Sequence, residues 1–128
     1  MNTHELAWAA GFFDGEGHIR ANRGLRKSDP QRRVYSGVFL EVAQKDPTLL
    51  HRLKTALGVG YVLGPYRNNK NGHHFSYRFM AGSFEQVQQA VASMWQWLGP
   101  IKKKQCSEAL TNYLNEPRLK SGRKPKIK

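Results

Sequence analysis

Residues Trp8 to Gly17 read WAAGFFDGEG. Small residues (Ala9, Ala10, Gly11) come first, then Phe12 and Phe13, then two carboxylates, Asp14 and Glu16, separated by Gly15 and closed by Gly17. Upstream, Asn2 and Glu5 stand at capping-box spacing, which predicts a helix starting near Thr3. Gly15 and Gly17 are expected to end it. Ala7, Gly11 and Asp14 then share one face at i, i+4 and i+7. A face of alanine and glycine lets a second helix come very close, because no side chain holds the backbones apart.

The charges on this helix are misplaced for stability alone. Asp14 and Glu16 sit at the carbonyl end of a helix dipole, where a cation would be favoured. A second such helix alongside would stack like charges. A divalent cation resolves both conflicts, since carboxylates such as Glu16 and helix-end carbonyls such as that of Gly15 are its preferred ligands. The plain alternative is a helix terminus with two solvated acids, and spacing alone leaves both readings open.

The chain has 128 residues, enough for one domain with a modest core. Lysine and arginine number 21 against 9 acids, a formal net charge of +12, so the expected partner is a polyanion, nucleic acid before an acidic membrane surface. No apolar run reaches transmembrane length and no signal-peptide pattern opens the chain, so an intracellular protein without a membrane partner is expected. Cys106 is the one cysteine, which excludes a disulfide framework and a cysteine zinc site. The WAAGFFDGEG pattern has no second copy.

After Gly17 the chain alternates. His18 to Arg23 reads as a strand with His18, Arg20 and Asn22 on one side and Ile19 and Ala21 on the other. Residues 24–31 form a turn. Arg33 to Gln44 is the clearest strand, with Val34, Val38, Leu40 and Val42 on one face and Tyr35, Phe39 and Glu41 on the other. Asp46-Pro47 starts a helix that Gly58 ends. Gly60 to Arg67 and His74 to Ala81 are strands joined by the turn NNKNG at 68–72, the second with Phe75, Tyr77 and Phe79 toward the core. Ser83 and Gln86 cap an amphipathic helix running to Leu98. Gly99-Pro100 breaks it, and Lys102 to Leu114 is a last helix. The order is α-ββ-α-ββ-α-α over 1–116, followed by a basic, disordered tail at 117–128.

Other motifs carry less. Gly58-Val59-Gly60 follows a helix and lacks a placed third glycine, so it is no nucleotide loop. Asp14-x-Glu16-x-His18 lacks the later residues of a calcium loop. His73-His74 reads as a turn pair. The basic residues are more informative: Arg20, Arg23, Arg26, Lys27, Arg32 and Arg33 belong to the first hairpin, and Arg67, Lys70 and Arg78 to the second. Together with Asn22 they form a candidate double-stranded DNA surface.

AAGFFDGEG, from Ala9 to Gly17, resembles the nine-residue signature of the LAGLIDADG homing endonucleases, with Gly11, Asp14 and Gly17 matching the family name directly. LEVAQKD, LGVGYV and IKKKQ extend the likeness to members carrying a single motif. The resemblance implies an α+β fold of αββαββα order with a saddle-shaped antiparallel sheet. It implies a homodimer through Ala7, Ala10, Gly11 and Asp14, and hydrolysis of both strands of a roughly palindromic site. It gives Glu16 the catalytic Mg2+ or another divalent cation, Gln44 the orientation of water, and Lys102 the neutralising of phosphate charge, with Lys103 or Lys104 as substitutes if the register slips. A further basic residue of that pocket falls on Lys45, His51 or Arg52. The alternatives are a non-cleaving binder on the same fold, such as a maturase or regulator, and a small structural RNA-binding protein.

Overall fold

The computed structural model describes residues 2–25, 34–67 and 75–115, with backbone alone at 23–25 and 34–36. The described elements are α1 (Thr3–Glu16), β1 (Gly17–Leu25), β2 (Val34–Gln44), α2 (Pro47–Leu57), β3 (Tyr61–Arg67), β4 (Phe75–Ala81), α3 (Phe84–Met94), a 3-10 turn (Trp95–Trp97) and α4 (Pro100–Asn115). This is the expected order. The turn at 68–72, the basic tail and the His73-His74 pair lie outside the described residues.

Local chemistry sets most boundaries. Asn2 Oδ1 accepts the N–H groups of His4 and Glu5 at 3.0 and 3.2 Å, satisfying two orphan donors of α1. Asp46 accepts from Thr48 N at 2.9 Å with Pro47 in the first turn, and the bond holds the Asp46 carboxyl below its usual range. Gly58 closes α2 in the left-handed region, φ 73°, which glycine adopts without a Cβ clash. Ser83 Oγ takes the Gln86 N–H at 3.2 Å. Three expectations change, the first being that Gly24 and Leu25 continue β1 where a turn was expected. Gly15 stays inside α1, which runs through Glu16, and α3 stops at Met94, the 3-10 turn carrying the chain on to Leu98.

The sheet is antiparallel throughout, in the order β1-β2-β4-β3. Pro65, which lacks an N–H, sits in the edge strand β3, where the register shifts between Leu63 and Tyr66. Alternation puts Val38, Leu40, Val42, Phe79 and Ala81 on a face that is fully buried against Leu6, Ala9, Ala10 and Phe13 of α1 and the leucines of α2. The opposite face carries His18, Arg20, Asn22, Phe39, Glu41 and Arg78. Phe75 departs from its expected core role and is 45% exposed, because it pairs with Arg67 at the outer end of its hairpin, beyond the reach of the helices. No helix among the described residues is long and apolar enough to cross a membrane.

Gly17 joins α1 to the sheet. Its φ of −99° suits any residue, so conformation is not what requires glycine there. A Cβ at this position would overlap the Phe13 ring and press on Val42 Cγ2, both in the fully buried core. Gly17→Ala should therefore cost about 1–3 kcal/mol of stability, as overpacking does. The check is a lowered urea midpoint at unchanged slope.

Candidate functional site

Glu16 stands exposed on the last turn of α1. Gly17 pairs with Val42 in the β1–β2 register, which brings the end of β2 alongside the end of the helix. Gln44 Nε2 there donates to Glu16 Oε1 at 2.9 Å. The two open onto a cleft of about 480 Å³ lined also by Ala43, Lys45, Asp46 and Ser76. The structure thus joins two residues that the sequence separates by a strand pair.

Lys102 arrives from α4. It is only 9% exposed, its Nζ donates to the Gly17 carbonyl at 2.8 Å, and it lies 5.2 Å from the Phe13 ring centroid. A cation at the carbonyl end of α1 is electrostatically favoured. Lys103 lies over Trp95 and Lys104 is exposed, so of the three lysines it is Lys102 that contacts the motif. Asp14 has an internal partner as well: its Oδ2 accepts the Gly99 N–H at 2.9 Å. Gly99 immediately precedes α4, so the acid at the wrong end of α1 stands at the right end of α4.

The three candidates for a further basic residue, Lys45, His51 and Arg52, stand in different places. Arg52 donates to Glu5 from Nε at 2.9 Å and Nη2 at 2.7 Å and stacks 3.9 Å from the Trp8 ring, itself stacked on Phe12. The Arg52 hydrogen bonds hold the Glu5 carboxyl below its usual range. That contact lies about 16 Å up the helix from Glu16, at 1.5 Å per residue. His51 is exposed on α2, and Lys45 is the candidate that lines the cleft.

On the small-residue face, Ala7 is half-buried and Gly11 exposed, with no atom within 4 Å of where a Cβ would stand. Ala10, expected on the same surface, is completely buried in the chain's own core and has no area to offer a second helix. On the open sheet face Arg20, Asn22 and Arg78 are exposed, whereas Arg67 pairs with Phe75, which puts it on the other side of the hairpin from Arg78. Arg23 lies in β1 opposite Ser36, its side chain outside the described set. Arg26, Lys27, Arg32, Arg33 and Lys70 lie outside the described residues.

Sequence reasoning left Glu41 without a role. It is 8% exposed, 2.9 Å from His18 Nε2 through Oε1 and 3.4 Å from Arg78 Nη1 through Oε2. Its available signal was a lone acid in a strand otherwise free of charge; the partners on β1 and β4 required the sheet order. Among the described residues no group of three or more histidines, cysteines or carboxylates could hold an ion unaided.

No family model and no curated protein matches the sequence. Solved structures do. The homing endonuclease I-CvuI, in complex with the I-CreI target and magnesium with DNA not cleaved, matches at 25% identity and TM-score 0.67, over 86% of this chain and 68% of that one. The archaeal intron-encoded homing endonuclease I-Vdi141I complexed with DNA matches at 15% identity and TM-score 0.65, over 88% and 70%. The LAGLIDADG meganuclease I-AabMI bound to uncleaved DNA matches at 20% identity and TM-score 0.64, over 89% of this chain and 36% of that one.

Cys106 lies near these charges without being reactive. Burial pushes its thiol up to about 11, against the opposing pull of Lys102. At mildly alkaline pH the native thiol should react with a disulfide reagent on the order of a hundredfold more slowly than in the denatured chain. Stopped-flow labelling with and without denaturant measures the ratio.

Proposed function

We propose, from the LAGLIDADG homing-endonuclease fold of this chain and from the Glu16–Gln44 cleft at its first helix end, that it is a metal-dependent DNA endonuclease acting as a homodimer on a roughly palindromic site. The observation that carries the reading is Glu16 itself. It is an exposed carboxylate whose hydrogen-bond partner is a neutral amide, at the end of the helix bearing the signature. The structural neighbours that are DNA complexes, with magnesium or calcium, support DNA as the polyanion and a divalent cation as the cofactor.

The donor set fits such a cation in part. Each chain offers the Glu16 carboxylate and the Gly15 carbonyl, which lies among the last four of α1. A second copy's Glu16 and DNA phosphate oxygens complete an all-oxygen set of the kind Mg2+ prefers. When bound, the ion supplies Lewis-acid stabilisation of charge building on the phosphate. Gln44 fixes the Glu16 carboxylate and presents its amide to the cleft, where it orients water. Lys45 supplies positive charge at the cleft wall. Lys102 holds the Gly17 carbonyl and adds positive potential beneath the helix end, and no side chain forms a covalent intermediate.

The open sheet face suits a DNA groove. β1 is nine residues long, about 30 Å at 3.3–3.4 Å per residue, or roughly nine base pairs of duplex. Two copies then cover a site on the order of twenty base pairs. With Ala7 and Gly11 against a second copy, Gly11→Leu is expected to shift sedimentation from dimer to monomer while leaving thermal unfolding of the monomer intact, since among the described residues no other side chain lies within 4 Å of where its Cβ would stand.

Glu16→Gln decides between cutting and binding alone. Cleavage of a selected site with magnesium should fall by orders of magnitude, while affinity in chelator stays equal or rises because a charge facing phosphates is removed. Equal cutting by the variant overturns the catalytic role. Binding without cutting by either protein transfers the assignment to a non-cleaving DNA-binding protein.

A further inference from the structure

Among the four described strands Glu41 is the one acid, and it lies on the face that otherwise offers Arg20, Asn22 and Arg78. A carboxylate directed at phosphates weakens binding, so its position needs a reason. Both of its oxygens are engaged, Oε1 with His18 of β1 and Oε2 with Arg78 of β4. It is therefore not available to accept from a cytosine amino group, the contact a free glutamate would make in a major groove. Arg78 is held a second time, its guanidinium lying 5.3 Å from the Tyr66 ring centroid. The side chain is still 49% exposed, so one Nη is tied down while the rest of the fork faces outward.

We infer that Glu41 is a positioning residue that fixes Arg78 as the reader of a guanine in each half-site. The inference rests on the DNA-binding reading above. A guanidinium held on one side by a carboxylate and on its face by a ring has lost rotamer freedom before binding, so less entropy is lost when it docks. Its free donors match guanine O6 and N7, the commonest specific contact of arginine in the major groove. A salt bridge that merely staples β1, β2 and β4 together would instead affect stability and leave base preference alone.

Selection of bound sites from a random duplex pool separates these roles. The parent protein should select guanine at one fixed position per half-site. Arg78→Ala and Arg78→Lys should both lower that preference by roughly 5- to 150-fold, and the lysine variant should keep most of the general affinity. Glu41→Gln should lower the same preference while leaving affinity for unselected DNA equal or higher. In an Arg78→Ala background it should change the preference no further, since Glu41 acts through Arg78. If Glu41→Gln destabilises the sheet, Glu41→Asp carries the test, because it keeps the charge and draws the oxygens back from Arg78. Guanine selection unchanged by Arg78→Lys or by a folded Glu41 variant, or weakening spread evenly over all sequences, overturns the inference and leaves DNA binding standing. A parent protein that binds no duplex at low salt overturns both.

Discussion

Two contacts clasp the end of the first helix to the start of the last, and the site depends on them. Asp14 takes the Gly99 N–H, and Lys102 gives its ammonium to the Gly17 carbonyl. Each residue answers an electrostatic need of the other helix: an acid at the N-terminal end of α4, a cation at the C-terminal end of α1. Hydrogen bonds involving a charged group stabilise by roughly 1.5–3 kcal/mol, less where water competes, as at exposed Asp14. Between these two anchors lie Gly15 and Glu16. The carboxylate is therefore held from both flanks, and Gln44 then sets its direction.

What the sequence disclosed was what short-range chemistry controls. Asn2, Asp46-Pro47, Gly58 and Ser83 each fix a helix end through neighbours two to four residues away. The strand alternation at Val38, Leu40 and Val42 is equally local. The family likeness, through LEVAQKD as well as the motif, assigned Gln44 and Glu16 to one pocket, which no periodicity contains. Apart from helix bounds at Gly15 and Met94, what the sequence left open or misplaced is long-range. Ala10 satisfies the small-residue pattern as well as Gly11 does, and only the docking of the sheet and of α3 decides that it is interior. Arg52 and Lys45 are equivalent in sequence until Glu5 and Trp8 claim one of them. Glu41 had no role in the sequence reading because its partners on β1 and β4 are neighbours only once the strand order is known.

The acids give a second view of the site. In a chain with a net charge of +12, carboxylates are scarce, and several of those in the described residues have a fixed internal use. Glu5 binds Arg52, Asp46 caps α2, Asp14 meets α4 and Glu41 gathers His18 and Arg78. Glu16 differs in that its partner is a side-chain amide on the wall of a cleft. Among the described residues no ion pair offsets its negative charge, so it is open to a cation from outside. The described sheet face, by contrast, has its one acid already engaged by Arg78 and His18, leaving Arg20 and the outer part of Arg78 toward an approaching polyanion.

The clasp also sets when the site comes into being. Asp14 and Gly99 are 85 residues apart, as are Gly17 and Lys102, so among the described hydrogen bonds these close the longest loops. Long-range closures carry the larger entropic cost and follow local structure in folding. On the ribosome, α1 with its full signature is exposed well before α4 exists. The nascent chain thus carries the motif well before α4 is made, and acquires an oriented carboxylate only when α4 docks.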